Sequence, residues 1–171
     1  MLYYFYIKIK QRQLKKKILR GRKHIQIESK FECTKPDNIF IEDYTYIGPN
    51  CRFYGYGRII TGTNVIIGND VMLLTSNHNY RGELIPYDAQ GVHKDIIIQE
   101  NVWVGSYAKI MPGVKINEGA IIACGSVVTK EVPYCAIVGG NPAQIIGYRD
   151  VEKYEFLKRN HKLYLYEKYG K

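Results

Sequence analysis

The second half of the chain carries an aliphatic side chain at every sixth position: Ile98, Val104, Ile110, Ile116, Ile122 and Val128. Two residues ahead of each stands a second apolar or small residue: Ile96, Val102, Ala108, Val114, Ala120 and Ser126. An α-helix would smear a six-residue repeat around its surface. A parallel β-helix needs that repeat, because each short strand forms one wall of a coil and each coil stacks on the last. The expected fold class is an all-β solenoid.

The same beat runs through Ile41, Ile47 and Phe53, slips by two residues after Gly55-Tyr56-Gly57, and resumes at Thr61, Ile67 and Leu73. Extra residues at glycines read as a bulge or loosened corner. Neither inward slot of these twelve hexads holds a charge, and the positions between carry Asn, Asp, Glu, Lys and Gly, as solvent-facing turns do. A sandwich of ordinary strands would show turn signals without a fixed register.

Three segments are expected. Residues 1–30 form a lead-in with a helix through Leu14, Ile18 and Leu19, stopped at Gly21. Residues 31–147 form the coil stack, broken over 76–94 by an excursion that loses the beat. A long irregular excursion inside a regular solenoid usually serves a function. Residues 148–171 turn helical, with Val151, Tyr154, Leu157, His161 and Tyr164 three to four apart and Asp150 as N-cap.

The net charge of +9 comes from one end: residues 1–30 hold ten Lys or Arg against Glu28 alone. A solvated basic face, an anionic membrane surface and nucleic acid are the candidate explanations. The membrane contact, a peripheral one, draws support from the apolar Leu2-Tyr3-Tyr4-Phe5-Tyr6-Ile7 ahead of the charges. Nucleic acid is not expected, because no recognition module accompanies the patch. No apolar run approaches a membrane span, and the order of charge and apolar residues is not that of a signal peptide. Cys33, Cys51, Cys124 and Cys135 show neither C-x-x-C pairing nor zinc-like spacing, which suits a reducing, cytoplasmic setting.

Two outward positions carry candidate chemistry. Trp103 lies between inward Val102 and Val104, so its indole faces away from the core, where a partner subunit or a ligand would cover it. His78 opens the excursion between Asn77 and Asn79; its side chain is the type that titrates near neutral pH, yet a loop histidine is more often inert than a base.

With the hexads, the segments Thr75 to Tyr80, Gln90-Gly91, Asn101 to Ser106, Met111 to Val114, Gly125 to Lys130, Val132-Pro133 and Gly139 to Ala143 resemble the hexapeptide-repeat acyltransferases. The chain is most similar to the bacterial sugar O-acetyltransferases, the galactoside, maltose and nodulation enzymes and their surface-polysaccharide relatives. The resemblance spans about residues 37–147. It implies a left-handed parallel β-helix, a homotrimer with sites at subunit boundaries, acetyl-CoA as donor and no metal. By position, His78 matches the general base and Ser106 the backbone N–H facing the oxyanion. Trp103, Ser106, Cys124, Thr129, Lys130, Gly139, Gly140 and Asn141 match donor-binding positions. Asn77, Tyr80 and Gln90 fall where the acceptor lies. Relatives often carry Arg or Lys beyond the Pro-Ala step for the 3′-phosphate; here Gln144 and Gly147 stand there, and Arg149 is the expected substitute. The implied activity is acetyl transfer to a sugar hydroxyl, of a surface polysaccharide or its precursor. A drug or serine acceptor and a non-catalytic assembly module are the alternatives. A zinc hydrase on the same helix needs three converging histidines, commonly in an H-x-x-x-x-H pair that this chain lacks.

Overall fold

In the computed structural model, which describes residues 13–170, short parallel strands stack into three flat walls. The first wall runs Gln26–Ile27, Tyr46–Ile47, Ile66–Ile67, Trp103–Val104, Ile121–Ile122 and Ala136–Gly140. The second runs Glu32–Cys33, Arg52–Tyr54, Met72–Leu74, Lys109–Ile110 and Val127–Val128. The third runs Ile39–Ile41, Ile59–Thr61, Ile96–Ile98 and Lys115–Ile116, with Val132 bridged above Ile116.

Register explains the six-residue beat. Ile47 faces Ile67, Ile67 faces Val104, and Val104 faces Ile122, so each inward aliphatic rests on its equivalent one coil below. Phe53, Leu73, Ile110 and Val128 form a second column and Ile41, Thr61, Ile98 and Ile116 a third. Every inward residue of the twelve hexads is buried. Corners between walls repeatedly place one residue in the left-handed region: Asn50, Asn64, Asp70 and Asn101, then Gly113, Gly119 and Gly125. Asn, Asp and Gly visit that region at least cost.

The stack begins earlier than expected. Gln26–Ile27 already pair with Tyr46–Ile47, so the first coil takes the last residues of the basic lead-in. Below it, residues 13–19 are helical and turn buried Ile18 into the core, with Leu14 and Leu19 packed beside it. This apolar face closes the open end of the stack and is not free for a bilayer. The cluster Leu2 to Ile7 lies outside the described residues. Part of the positive charge is paired: Lys17 and Arg20 with Asp37, and Arg22 with Glu42.

At the other end the chain reverses in an antiparallel hairpin, Ala136–Gly140 with Ala143–Tyr148, and then descends along the edge between the third and first walls. Asp150 caps the helix Val151–Arg159, its side chain accepting from the Lys153 N–H. The expected single helix is two: His161 adopts φ 52° and the chain restarts as Tyr164–Tyr169. Tyr154 O–H donates to Glu118 (2.7 Å), the Leu165 N–H to Asn64 (3.3 Å), and Tyr169 O–H to Gln26. The C-terminal segment therefore straps one edge from the last coils to the first.

Glu118 is the strap's main anchor. Burial pushes its pKa up, but hydrogen bonds from Lys158 and Tyr154 outweigh this, and the carboxyl ends below its ordinary value. A lowered folded pKa means that its contribution is complete above about pH 4.5 and disappears as pH falls further, through the folded value. Glu118→Gln should lose about 1–3 kcal/mol at neutral pH and show a flatter stability profile below pH 4.5 than the wild type in urea titrations. Thr61 offers the opposite case, since its hydroxyl is buried among aliphatics with no partner among the described residues. Thr61→Val keeps the shape and should raise stability by about 1–2 kcal/mol in the same measurement.

Candidate functional site

The excursion leaves the stack at the edge between the second and third walls. It rises as a two-stranded antiparallel hairpin, Ser76–His78 with Gly91–His93. Its feet stand on the glycines where the beat slips. A Cβ at Gly55 would come within 2.4 Å of the Thr75 hydroxyl, and one at Gly57 within 2.7 Å of the Lys94 carbonyl. The backbone slack seen as Gly55-Tyr56-Gly57 is the socket of the hairpin.

His78 sits on this hairpin with its ring exposed and stacked on Tyr87, centroids 3.8 Å apart and planes within 15°. The stack, rather than a carboxylate, sets the ring's orientation. His78 borders two clefts. One, of about 620 Å³, is lined on one side by Asn77, Tyr80 and Arg81, and on the other by Lys94, Met111, Pro112 and Thr129. The other, of about 510 Å³, is lined by Tyr56, Leu74, Ser76, Ala89, Gly91 and His93. Cations mark the first, and the second is neutral and aromatic. Gln90 lies at the return of the hairpin, its carbonyl accepting from the Asn79 N–H (3.2 Å).

The remaining expected residues apart from Lys130 and Arg149 gather at a different edge, between the first and second walls. Trp103 projects from the first wall, 51% exposed, between Ile66 and Ile121. Ser106 follows at the corner, and its hydroxyl accepts from the Asn69 N–H (3.1 Å). Cys124 stands one coil above, exposed. Neither the Ser106 nor the Cys124 N–H has an acceptor among the described residues, so both can donate to a ligand. Gly139 and Gly140 end the last strand of the first wall, and Asn141 begins the turn of the closing hairpin. Lys130 is exposed beyond the second wall.

Arg149 lies apart from the other donor candidates. Its guanidinium donates to the Gly119 carbonyl (2.5 Å) and lies over the Tyr154 ring at 5.8 Å. That is the strapped edge, which neither set of candidate residues shares, so Arg149 fastens the strap. A wider cleft of about 660 Å³ at this edge, lined by Gln99, Asn117, Glu118 and Tyr134, holds no histidine. Sequence reasoning also passed over Ser76, His93 and Tyr56, which the fold brings together from two coils. The Ser76 hydroxyl lies 2.7 Å from His93 Nδ1 and accepts from the Tyr56 N–H at 2.8 Å. Only the glycines flanking Tyr56 hinted at this.

His78 and Ser106 are thus separated on one chain by the width of the second wall, roughly 16–20 Å of extended backbone. No helix among the described residues is long and apolar enough to cross a membrane.

The bacterial transferase hexapeptide (six repeats) family matches residues 95–130. The crystal structure of the hexapeptide-repeat acetyltransferase VCA0836 of Vibrio cholerae, complexed with acetyl coenzyme A, superposes with a TM-score of 0.66 at 30% identity. It covers 77% of this chain and 74% of that one. The polySia-specific acetyltransferase NeuO superposes with a TM-score of 0.57 at 31% identity over 74% of this chain and 62% of that one. The galactoside O-acetyltransferase of Lactococcus lactis is 33% identical over 104 residues, 59% of this chain and 50% of its own length. The chain belongs to the hexapeptide-repeat acyltransferase family, and its coil stack is the left-handed parallel β-helix that the resemblance implied. It spans 46–61% of the length of the first three curated relatives it matches.

Proposed function

We propose that this chain is an acetyl-CoA-dependent O-acetyltransferase acting on a sugar hydroxyl by direct transfer, with His78 as general base. The observation that carries this is the setting of His78: an exposed imidazole on a seated hairpin that borders both a cationic cleft and a neutral one. Arg81 and Lys94 suit the phosphates of a coenzyme A thioester, and Thr129 lies on the same side. The similar Vibrio protein was crystallised with acetyl coenzyme A.

The chemistry needs one base. The acceptor oxygen attacks the thioester carbonyl carbon while its proton passes to the His78 ring. The tetrahedral intermediate breaks its C–S bond, and the departing thiolate takes the proton from the imidazolium. An acetyl ester and a free thiol remain. The unpaired Ser106 N–H, with that of Cys124 beside it, suits the oxyanion. A covalent acyl-cysteine is disfavoured at Cys33 and Cys51, whose thiols burial pushes up to about 11.

Because Ser106 and His78 stand a wall apart, the site takes Ser106, Trp103 and Cys124 from a neighbouring copy in a homotrimer. The exposed excursion tip, Leu84 and 99%-exposed Ile85, is apolar surface that such a neighbour would cover. Thr129 and Lys130 then face the donor from the histidine's own chain. The acceptor is a sugar of a surface polysaccharide or its precursor, a reading supported by the likeness to a galactoside O-acetyltransferase and by the cleft at the hairpin. Four free cysteines suit a cytoplasmic setting.

His78→Ala should lower acetyl transfer by about 100–10,000-fold while leaving acetyl-CoA affinity unchanged in calorimetry. Undiminished transfer would remove His78 as the base. Sedimentation should give three times the 19.8 kDa chain mass, and a monomer that transfers acetyl would overturn the shared site.

A further inference from the structure

We propose that His93 is an acceptor-binding residue, held by Ser76 as a fixed hydrogen-bond donor, and that its cleft takes an uncharged pyranose. The proposal rests on the acetyl-transfer reading for the identity of the second substrate, and on the hairpin's geometry for everything else.

Three observations converge. First, alternation along the paired strands puts Ser76 and His78 on the same face as Gly91 and His93. His93 therefore shares a face with the proposed base. Second, the His93 ring is locked. Tyr56 N–H donates to the Ser76 oxygen, and no acceptor other than His93 Nδ1 lies in reach of the Ser76 proton among the described residues. In the proposed arrangement Ser76 donates to Nδ1, and the proton of the neutral ring is then on Nε2. The ring leans over Gly91, where a Cβ would stand 2.5 Å from Cε1 and 2.9 Å from Nε2. Only glycine opposite His78 allows this pose.

Third, the cleft has the chemistry of a sugar site. The Tyr56 ring, 57% exposed, lies 5.3 Å from the His93 ring and offers an aromatic face to the C–H surface of a pyranose. Leu74 and Ala89 complete the apolar lining, while Ser76, Asn77, His78 and His93 supply polar atoms. No Lys, Arg, Asp or Glu lines it, in contrast to the Arg81 and Lys94 side of the hairpin. A charged sugar would enter without a counter-ion. An uncharged ring can stack on Tyr56, accept from His93 Nε2–H, and present a neighbouring hydroxyl to His78. Ser76 is a positioning residue, since it acts through His93.

The test uses the whole chain with methyl β-D-galactopyranoside, methyl α-D-glucopyranoside and methyl α-D-glucuronide, reading thiol release from acetyl-CoA and saturation-transfer NMR. Both neutral glycosides should saturate, and the glucuronide should be at least roughly tenfold poorer as acceptor. His93→Ala should raise the acceptor KM about tenfold with the acetyl-CoA KM unchanged, and His93→Gln, which keeps an N–H near Nε2, should recover most of it. Ser76→Ala should weaken acceptor binding in the His93 protein but not in the His93→Gln background, a difference that a merely structural role would not produce.

An acceptor KM indifferent to His93→Ala, or preference for the glucuronide, would overturn the proposal while leaving acetyl transfer intact. Neutral glycosides that bind through His93 without being acetylated would uphold it and remove the acetyl-transfer reading instead. If no glycoside saturates, the proposal fails whatever the transfer assay shows.

Discussion

The structure depends on vertical register. Each inward side chain bears on its counterpart in the next coil, as Ile47, Ile67, Val104 and Ile122 do, so a coil can change length only at its corners. Removing one methylene from such a column disturbs contacts above and below, whereas an outward position sees mainly solvent or a partner. The corners obey a matching constraint. They need a left-handed residue and close approach between coils, which is why Asn, Asp and Gly recur there. Tyr107 takes that conformation (φ 64°) next to Ser106 without being a residue type that favours it.

Rigidity of that kind localises function. The interior of the stack is filled, and the clefts that gather the candidate residues lie at the edges. One edge is occupied by the C-terminal strap through Arg149, Tyr154 and Leu165. A second carries Trp103 and the free N–H groups of Ser106 and Cys124. The third carries the hairpin. The insertion between Leu74 and Ile96 is tolerated because it adds nothing to the stacked positions: Ile59 still faces Ile96 as Ile39 faces Ile59.

The legible part of the molecule was the part governed by repetition. Hexads, inward slots and the slip at Gly55-Tyr56-Gly57 could be read because every coil imposes the same demand. The first coil escaped notice because its beat, Ile27 and Cys33 with Ile25 and Phe31 two residues ahead, is out of phase by two with Ile41, the extra residues lying at the turn Pro36–Asn38. The break at His161 was hidden for the opposite reason. Apolar spacing continues through Leu157, His161 and Tyr164, while the backbone leaves the helix at a left-handed residue. The contact between Arg149 and the Gly119 carbonyl joins residues thirty apart, and no spacing in the sequence announces it.

Site chemistry is legible only where the residues that make it are close in sequence or repeat a pattern. His78 stood out because it opens an irregular excursion. Ser76 and His93 are seventeen residues apart, and Tyr56 belongs to the coil below; no periodicity links them. They meet because the glycines under the hairpin let its strands descend until Ser76 reaches the Tyr56 amide. The loosened corner therefore does more than lengthen a coil. It sets the height of the hairpin, and with it which side chains share a face with His78. On that geometry, the donor side of the hairpin follows from charge and the acceptor side from its absence.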